Sequence, residues 1–309
     1  MQTVPDITPR SWLMVATLAF VWGGTFLVTE LALEGITPFW LAASRIGFGA
    51  VVTWLIWQRL GGRLFDAPLT FAQGIALLAV GALSSAVPFM LLAWGQQYVT
   101  AGFAGVSMAS ATLIVLPLAH FFVPGERMTT RRSLGFVIGF VGVVVLIGAQ
   151  AFESSGAALE LPGRFACIGA ACCYATSSIL MRRLPSVDPI GLSCVLLAIG
   201  ATVVIPAALI VEGPPPSIDM RTLAILAFLG LIPTAAANVL RVMVVRSAGP
   251  VFMSLVNYQV PVWSVLLGVL ILSEPLPPSL LWAMLLILAG VGLSQYGALK
   301  RLFRGSDPS

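Results

Sequence analysis

Apolar segments of about 20 residues recur along this chain, and an α-helix needs that length to cross roughly 30 Å of hydrocarbon. Windows of this size divide the 309 residues into ten segments, here called spans 1 to 10. Only 9% of the residues are charged and the mean hydropathy is +1.01, so the sequence predicts an all-α integral membrane protein. The spans start near Trp12, Pro38, Phe71, Thr100, Leu134, Gly163, Pro189, Thr222, Gly249 and Pro278.

The basic residues predict the orientation, because short cytoplasmic loops accumulate Lys and Arg. Of the 16 Lys and Arg residues, all but Arg45, Arg164 and Arg221 fall on one side when alternate loops are assigned to the two faces. Both termini are therefore expected in the cytoplasm. The net charge of +4 follows from this topology and indicates no nucleic-acid partner. The expected surroundings are the lipid bilayer and a small-molecule substrate.

The two halves of the chain match weakly at an offset of about 150 residues. "FVWGGTFLV" from Phe20 lies over "CCYATSSIL" from Cys172, and Glu126 lies over Glu274. Each half holds five spans, and an odd number reverses the second copy in the membrane. The sequence thus predicts two inverted repeats, residues 10–150 and 162–298, around a central cavity. Inverted repeats are characteristic of secondary transporters.

Several short motifs carry a resemblance to a known family. Trp22-Gly23, Arg45 in "FWLAASRIG", the glutamates Glu126 and Glu274 after spans 4 and 9, and "GFVGVVVLIG" in span 5 together resemble the EamA-type family of the drug/metabolite transporter superfamily. The chain is similar to its aromatic amino-acid exporters. The resemblance implies a ten-helix bundle that exports small metabolites, often amino acids, across a prokaryotic inner membrane by alternating access.

Apolar or aromatic amino acids are the favoured substrates, and drugs or sugar-type metabolites are the alternative. An intramembrane enzyme is the alternative hypothesis from a different functional class. A metal hydrolase needs a ligand set such as H-E-x-x-H, but the chain has one histidine, and no G-x-S-x-G accompanies it. No catalytic activity, metal or cofactor is therefore expected.

Polar and aromatic side chains near the middle of their spans are the candidate substrate site, because such groups face a bundle interior or a cavity. Hydroxyls that bond to carbonyls of their own helix are the alternative for Ser and Thr. The candidates are Trp22, Thr25, Ser84, Ser85, Ser110, Tyr174, Ser177, Asn238, Asn257, Tyr258, Gln259 and Trp263.

Three prolines lie inside spans and are predicted gating or hinge positions. Pro261 lacks an N–H, so the carbonyl of Asn257 loses its helical partner and a polar notch forms in "NYQVP". Pro88 and Pro233 lie close to mid-span, next to hydroxyl residues. Each kink is either a hinge or a fixed packing feature.

Arg45 lies about seven residues into span 2 and is expected to pair with Glu30 or Glu34 near the end of span 1. The alternative is that it attracts a substrate carboxylate. No Asp or Glu occupies the centre of a span, which favours facilitated diffusion or exchange over proton coupling. Gly135 and Gly139 have small-xxx-small spacing, which suits both packing within one bundle and a homodimer through span 5 or span 10.

Overall fold

A computed structural model describes residues 8–59, 69–123, 127–148, 159–181, 184, 188–253 and 255–304. These residues form apolar helices and contain no strand. Within the described residues, nine helices are long enough and apolar enough to cross a membrane, and Val256–Leu272 is a shorter apolar helix of 17 residues. The prediction of an all-α, multi-span membrane protein is confirmed.

The helices correspond to the predicted spans in order. Span 1 is Pro9–Leu33, span 2 Pro38–Arg59, span 3 Phe71–Gly95, span 4 Ala101–Phe122, span 5 Thr130–Gly148, span 6 Glu160–Met181, span 7 Pro189–Val211, span 9 Val256–Leu272 and span 10 Pro278–Arg304. Span 8 joins Met220–Leu229, Gly230–Ala236 and Ala237–Met253.

The predicted start of span 9 near Gly249 is wrong. Span 8 continues through Gly249 and Pro250 to Met253, and span 9 begins at Val256. Ser254 is the one polar residue between Val251 and Val256, so hydropathy does not mark the break.

Side-chain caps explain where five of the helices begin. Each capping oxygen accepts a hydrogen bond from the backbone N–H three residues later, and such a cap contributes about 0.5–2 kcal/mol. These caps are Thr8, Thr70, Thr100, Asp188 and Asp219. Span 2 is capped from a distance, because the Glu212 carboxylate after span 7 accepts from the N–H groups of Phe39 and Trp40 at 2.9 and 3.1 Å.

The helix packing places six spans between two outer pairs. Span 5 packs along span 10, and span 2 packs along span 7. In the two halves, equivalent helices make equivalent contacts. Span 1 packs on span 9, and span 6 packs on span 4. Span 2 contacts the middle of span 8, and span 7 contacts the middle of span 3. Span 4 is the most enclosed, with 61% of its apolar window buried, whereas the figure for span 5 is 22%.

Glycines allow the two helices of the outer pair, spans 5 and 10, to pack closely against each other. A Cβ added at Gly290 would collide with backbone atoms of Gly135 and Gly139. The small-xxx-small face of span 5 is therefore occupied by span 10 of the same chain. The homodimer stays a prediction, and it would need another face of these helices.

Two π-helical segments interrupt spans 3 and 8. They cover Ala82–Ala86, just before Pro88, and Gly230–Ala236, around Pro233. Each interrupts the third span of its half of the chain. A π-helical turn leaves backbone carbonyls without their usual partners and frequently occurs at functional sites. Two of the prolines selected from the sequence thus coincide with local changes of helix type.

Candidate functional site

Arg45 is a buried cation inside the bundle, with 9% of its surface exposed. Its Nε donates to Thr234 Oγ1 of span 8 at 2.9 Å, and its guanidinium carbon lies 4.1 Å from the centre of the Phe89 ring in span 3. The Tyr174 hydroxyl of span 6 is near enough to interact electrostatically with it. We call Arg45, Phe89, Tyr174 and Thr234 the Arg45 cluster. It joins spans 2, 3, 6 and 8.

Pro233 explains why span 8 presents Thr234 to this arginine. Because proline has no N–H, the carbonyl of Leu229 loses its α-helical partner. The Thr234 hydroxyl replaces that partner by donating to the Leu229 oxygen at 2.8 Å. The same oxygen Oγ1 accepts from Arg45, so the hydroxyl is used both as donor and as acceptor.

Two further side chains bind carbonyls of the π-helical segment in span 8. The indole Nε1 of Trp22 donates to the Pro233 oxygen at 3.1 Å, and Asn238 Nδ2 donates to the Thr234 oxygen at 2.6 Å. Polar groups at membrane depth must be satisfied by protein or water. The segment thereby brings together four of the positions selected from the sequence: Trp22, Arg45, Pro233 and Asn238.

The expected ion pair between Arg45 and Glu30 is wrong. Glu30 Oε2 instead accepts from the backbone N–H of Ala101 at the start of span 4, at 3.2 Å. In the described part of the chain no carboxylate lies within ion-pair distance of Arg45. Glu34, the other expected partner, pairs with the exposed Arg221 at 3.3 Å.

Glu274 shares the position of Glu30 at the start of span 4. Its two oxygens accept from the N–H groups of Ala101 and Gly102 at 2.6 and 3.0 Å. A carboxylate is stabilised there by the unpaired N–H groups of a helix N-terminus. The glutamate after span 9 therefore has a structural role, and its counterpart Glu126 lies outside the described residues.

Most of the remaining hydroxyl and amide candidates bond to their own helices. Thr25 donates to Val21, Ser110 to Ser107, Ser177 to Tyr174 and Gln259 to Leu255. Ser85 donates to Gly81 and also to Leu196 of span 7. Ser84 lies half-buried in the π-helical segment of span 3.

Among the described residues, no hydrogen bond joins the notch predicted at "NYQVP" to the Arg45 cluster. Asn257 is exposed, and the Tyr258 hydroxyl is buried without a hydrogen-bond partner among the residues described. Pro261 is buried within span 9. Trp263 packs against Gly23 and meets the exposed ring of Phe20 edge-on, at the seam of spans 1 and 9. A substrate role for Asn257, Tyr258, Gln259 and Trp263 and a hinge role for Pro261 stay predictions.

Two members of the Arg45 cluster were not among the candidates from the sequence. Thr234 had a signal, since it directly follows a mid-span proline. Phe89 had none, because nothing distinguishes it from the other phenylalanines of the spans. The predicted central cavity also stays a prediction. One cavity, of about 140 Å³, lies instead at the rim and is lined by Glu34, Gly35, Asp219, Arg221 and Thr222.

Comparison with known proteins places these features in context. A model of the EamA-like transporter family matches residues 10–148 and 161–295. An uncharacterized transporter of Archaeoglobus fulgidus is 26% identical over 274 residues, which cover 86% of this chain and 92% of that protein. The uncharacterized transporter YoaV of Bacillus subtilis is 23% identical, with 93% and 97% covered.

Two further matches concern the predicted substrate class, amino acids, and the fold. A "Probable terminal-alkyne amino-acid exporter" of Streptantibioticus cattleyicolor is 25% identical, with 96% of this chain and 97% of that protein covered. A solved crystal structure superimposes with a TM-score of 0.63 at 20% identity, covering 94% and 98% of the two chains. The likeness to this crystal structure concerns the fold alone.

Proposed function

Because the chain belongs to the EamA-like transporter family, we propose that it is a secondary transporter that exports small metabolites by alternating access, with apolar or aromatic amino acids as substrates. The family resemblance of the sequence is confirmed. The observation that carries the proposal is the polar interruption of span 8, where Pro233, Thr234, Trp22 and Arg45 meet inside an apolar bundle. The related exporter from Streptantibioticus cattleyicolor supports the amino-acid class.

The chemistry of the Arg45 cluster suits an amphipathic molecule. Phe89, Tyr174 and Trp22 present aromatic surfaces, while the hydroxyl, amide and guanidinium groups beside them are polar. Small-molecule sites combine these features, with apolar walls for affinity and a few polar groups for orientation. An amino acid with an apolar side chain has the matching division into an apolar body and a polar end.

Alternating access requires helices that change shape without unfolding. The π-helical segments in spans 3 and 8 supply one deformable point in each half, next to Pro88 and Pro233. Pro261 would act similarly in span 9. Discontinuous helices at the repeat interface are the usual site of binding and movement in secondary transporters.

We further propose that the transporter lies in a prokaryotic inner membrane with both termini in the cytoplasm. The distribution of Lys and Arg supports this orientation. Reporter fusions test it: an alkaline phosphatase fused after residue 309 should be inactive, and one inserted at Gly213 should be active. The opposite pattern would reverse the proposed orientation and, with it, the direction of export.

Uptake into proteoliposomes tests the function. Purified protein is reconstituted and supplied with labelled tryptophan, methionine, threonine and a sugar, with and without a pH gradient. We expect an amino acid to enter without a gradient, because no Asp or Glu occupies the centre of a span. Uptake of the sugar alone would support the alternative substrate class. Uptake only with a gradient would contradict facilitated diffusion or exchange.

The variant Thr234→Val links that transport to the π-helical segment. It keeps the shape of the side chain and removes the hydroxyl that binds Arg45 and Leu229. We expect it to fold and to lose most of the uptake. Thr202→Val is the matched control, because Thr202 is exposed on span 7 and bonds only to Ile199 of its own helix.

A further inference from the structure

Arg45 is bonded through only part of its guanidinium group. Its Nε binds Thr234, and one face of the group lies over Phe89. The two terminal nitrogens, Nη1 and Nη2, have no hydrogen-bond acceptor in the residues that the structure describes. Four N–H donors of a side chain that is nine-tenths buried are thus left unused.

Arg164 shows how the same chain satisfies a buried arginine structurally. Its side chain is 2% exposed and forms an ion pair with Glu160, one turn earlier in span 6. Its Nη1 also donates to the carbonyl of Ile147 at 2.9 Å. A buried charge costs several kcal/mol unless it is paired. Arg164 has its counter-charge within the chain, whereas no carboxylate of the described residues pairs with Arg45.

The geometry of the unused edge indicates the kind of ligand. Arginine presents paired N–H groups in a planar fork that matches the two oxygens of a carboxylate. Thr234 binds Nε, and the Phe89 ring packs against the guanidinium group. Together these contacts fix the direction in which the terminal N–H groups point. The Tyr174 hydroxyl of span 6 lies within electrostatic range of the same guanidinium group.

We propose that Nη1 and Nη2 of Arg45 bind the carboxylate of the transported molecule. The site then selects carboxylic acids and excludes the corresponding amides and amines. This inference rests on the proposed function, which it narrows from small metabolites to organic carboxylates. Binding of the acid supplies the counter-charge that the protein itself does not provide.

Ligand-dependent thermal unfolding of the purified full-length protein tests the proposal without requiring transport. The probes are indole-3-propionate, its primary amide and tryptophan, each at millimolar concentration. A ligand that binds only the folded state raises the Tm. We expect the two carboxylates to raise the Tm by several degrees and the amide to leave it unchanged. An equal shift with the amide, or no shift with either carboxylate, would overturn the proposal.

Two variants separate binding from structural support. Arg45→Gln should lose the carboxylate-induced shift and retain the Tm of the unliganded protein within a few degrees, because it removes a charge that has no partner. Arg45→Lys should need at least a tenfold higher ligand concentration to give the same rise in Tm, since an ammonium group lacks the planar fork of N–H donors. Arg164→Gln should keep the ligand-induced shift while lowering the starting Tm. An unchanged shift in Arg45→Gln would also refute the proposal.

The outcomes remain distinct from those of the uptake experiment. If the carboxylate shift depends on Arg45 but no amino acid crosses the membrane, the proposed substrate class fails and the carboxylate site stands. If amino acids are transported and Arg45→Gln transports them at the wild-type rate, the transporter proposal stands and the carboxylate site fails.

Discussion

The indole Nε1 of Trp22 donates a hydrogen bond to the carbonyl oxygen of Pro233 at 3.1 Å, across 211 positions of sequence. This contact joins span 1 to the π-helical segment of span 8. The neighbouring Thr234 carbonyl is bound by Asn238, and the Thr234 hydroxyl by Arg45. Movement of either span must therefore break or exchange hydrogen bonds at one place in the bundle.

Trp22→Phe removes the indole donor and keeps an aromatic ring. The Pro233 carbonyl loses its partner, so we expect the free energy of unfolding to fall by about 1 kcal/mol and substrate uptake to slow severalfold. Thermal unfolding in detergent and liposome uptake measure the two effects. The control is Trp282→Phe, because Trp282 is 63% exposed on span 10. Equal behaviour of the two variants would contradict a role for this bond.

Glu274→Ala leaves the N–H group of Gly102 without its acceptor at the start of span 4, and leaves the N–H group of Ala101 with the Glu30 carboxylate alone. We expect a loss of about 1–3 kcal/mol of stability, the usual cost of unsatisfied buried donors. Glu274→Gln keeps one acceptor oxygen, so its free energy of unfolding should lie between those of Glu274→Ala and the wild type. Glu34→Ala serves as the control, because its ion pair with Arg221 is exposed and contributes about 0–1 kcal/mol.

Gly290→Ala should separate spans 5 and 10. The added methyl group would meet backbone atoms of Gly135 and Gly139, which cannot move aside as a flexible side chain can. Overpacking of this kind costs about 1–3 kcal/mol. Gly297→Ala on the same helix has no neighbour within 4 Å and should leave the Tm unchanged or slightly raised. A Tm for Gly290→Ala that matches this control would show that the two helices are not in contact.

The cap of span 8 predicts a pH dependence at acid pH. Hydrogen bonds from the Thr222 side chain and backbone hold the pKa of Asp219 below its ordinary value. The unfolded chain keeps the ordinary value, so the stabilisation is fully present above that value. It is lost as the pH falls through the lowered pKa of the folded state.

Asp219→Asn removes this titration and keeps a side chain that caps helices well. The difference in Tm between wild type and variant should be constant near neutral pH and change between about pH 5 and pH 3, where the wild type loses its charged cap. Thermal unfolding at a series of pH values measures it. A difference that stays constant down to pH 3 would show that Asp219 does not titrate as the structure indicates.

The fold was predictable because the membrane imposes its own length on each helix. Apolar runs identified ten spans, and capping residues such as Thr70 and Thr100, or helix-starting prolines such as Pro38, lie at their beginnings. The boundary between spans 8 and 9 was placed incorrectly. Between Val251 and Val256 only Ser254 is polar, so hydropathy does not record the break.

The candidate site was predictable in some of its positions but not in its contacts. A proline inside a span marks where backbone carbonyls lose their partners, and Pro88 and Pro233 indeed adjoin the π-helical segments. The partner of Arg45 was assigned to Glu30 by closeness in sequence. Its actual partner, Thr234, is 189 positions away and carries no charge, so only the folded structure could identify it.

In alternating access, the polar groups around the π-helical segment of span 8 open in turn to each side of the membrane. Cysteine accessibility measures this most directly. Asn238→Cys is introduced after Cys167, Cys172, Cys173 and Cys194 are replaced by alanine, and an impermeant maleimide is added to either side of oriented vesicles. Phe228→Cys, on the exposed surface of the same span, is the control.

We predict that Asn238→Cys reacts with reagent from both sides, that a transported amino acid protects it from both, and that Phe228→Cys reacts from neither side because its thiol faces the lipid. Reaction of Asn238→Cys from one side only, or from neither side in a protein that transports, would contradict alternating access at the Arg45 cluster.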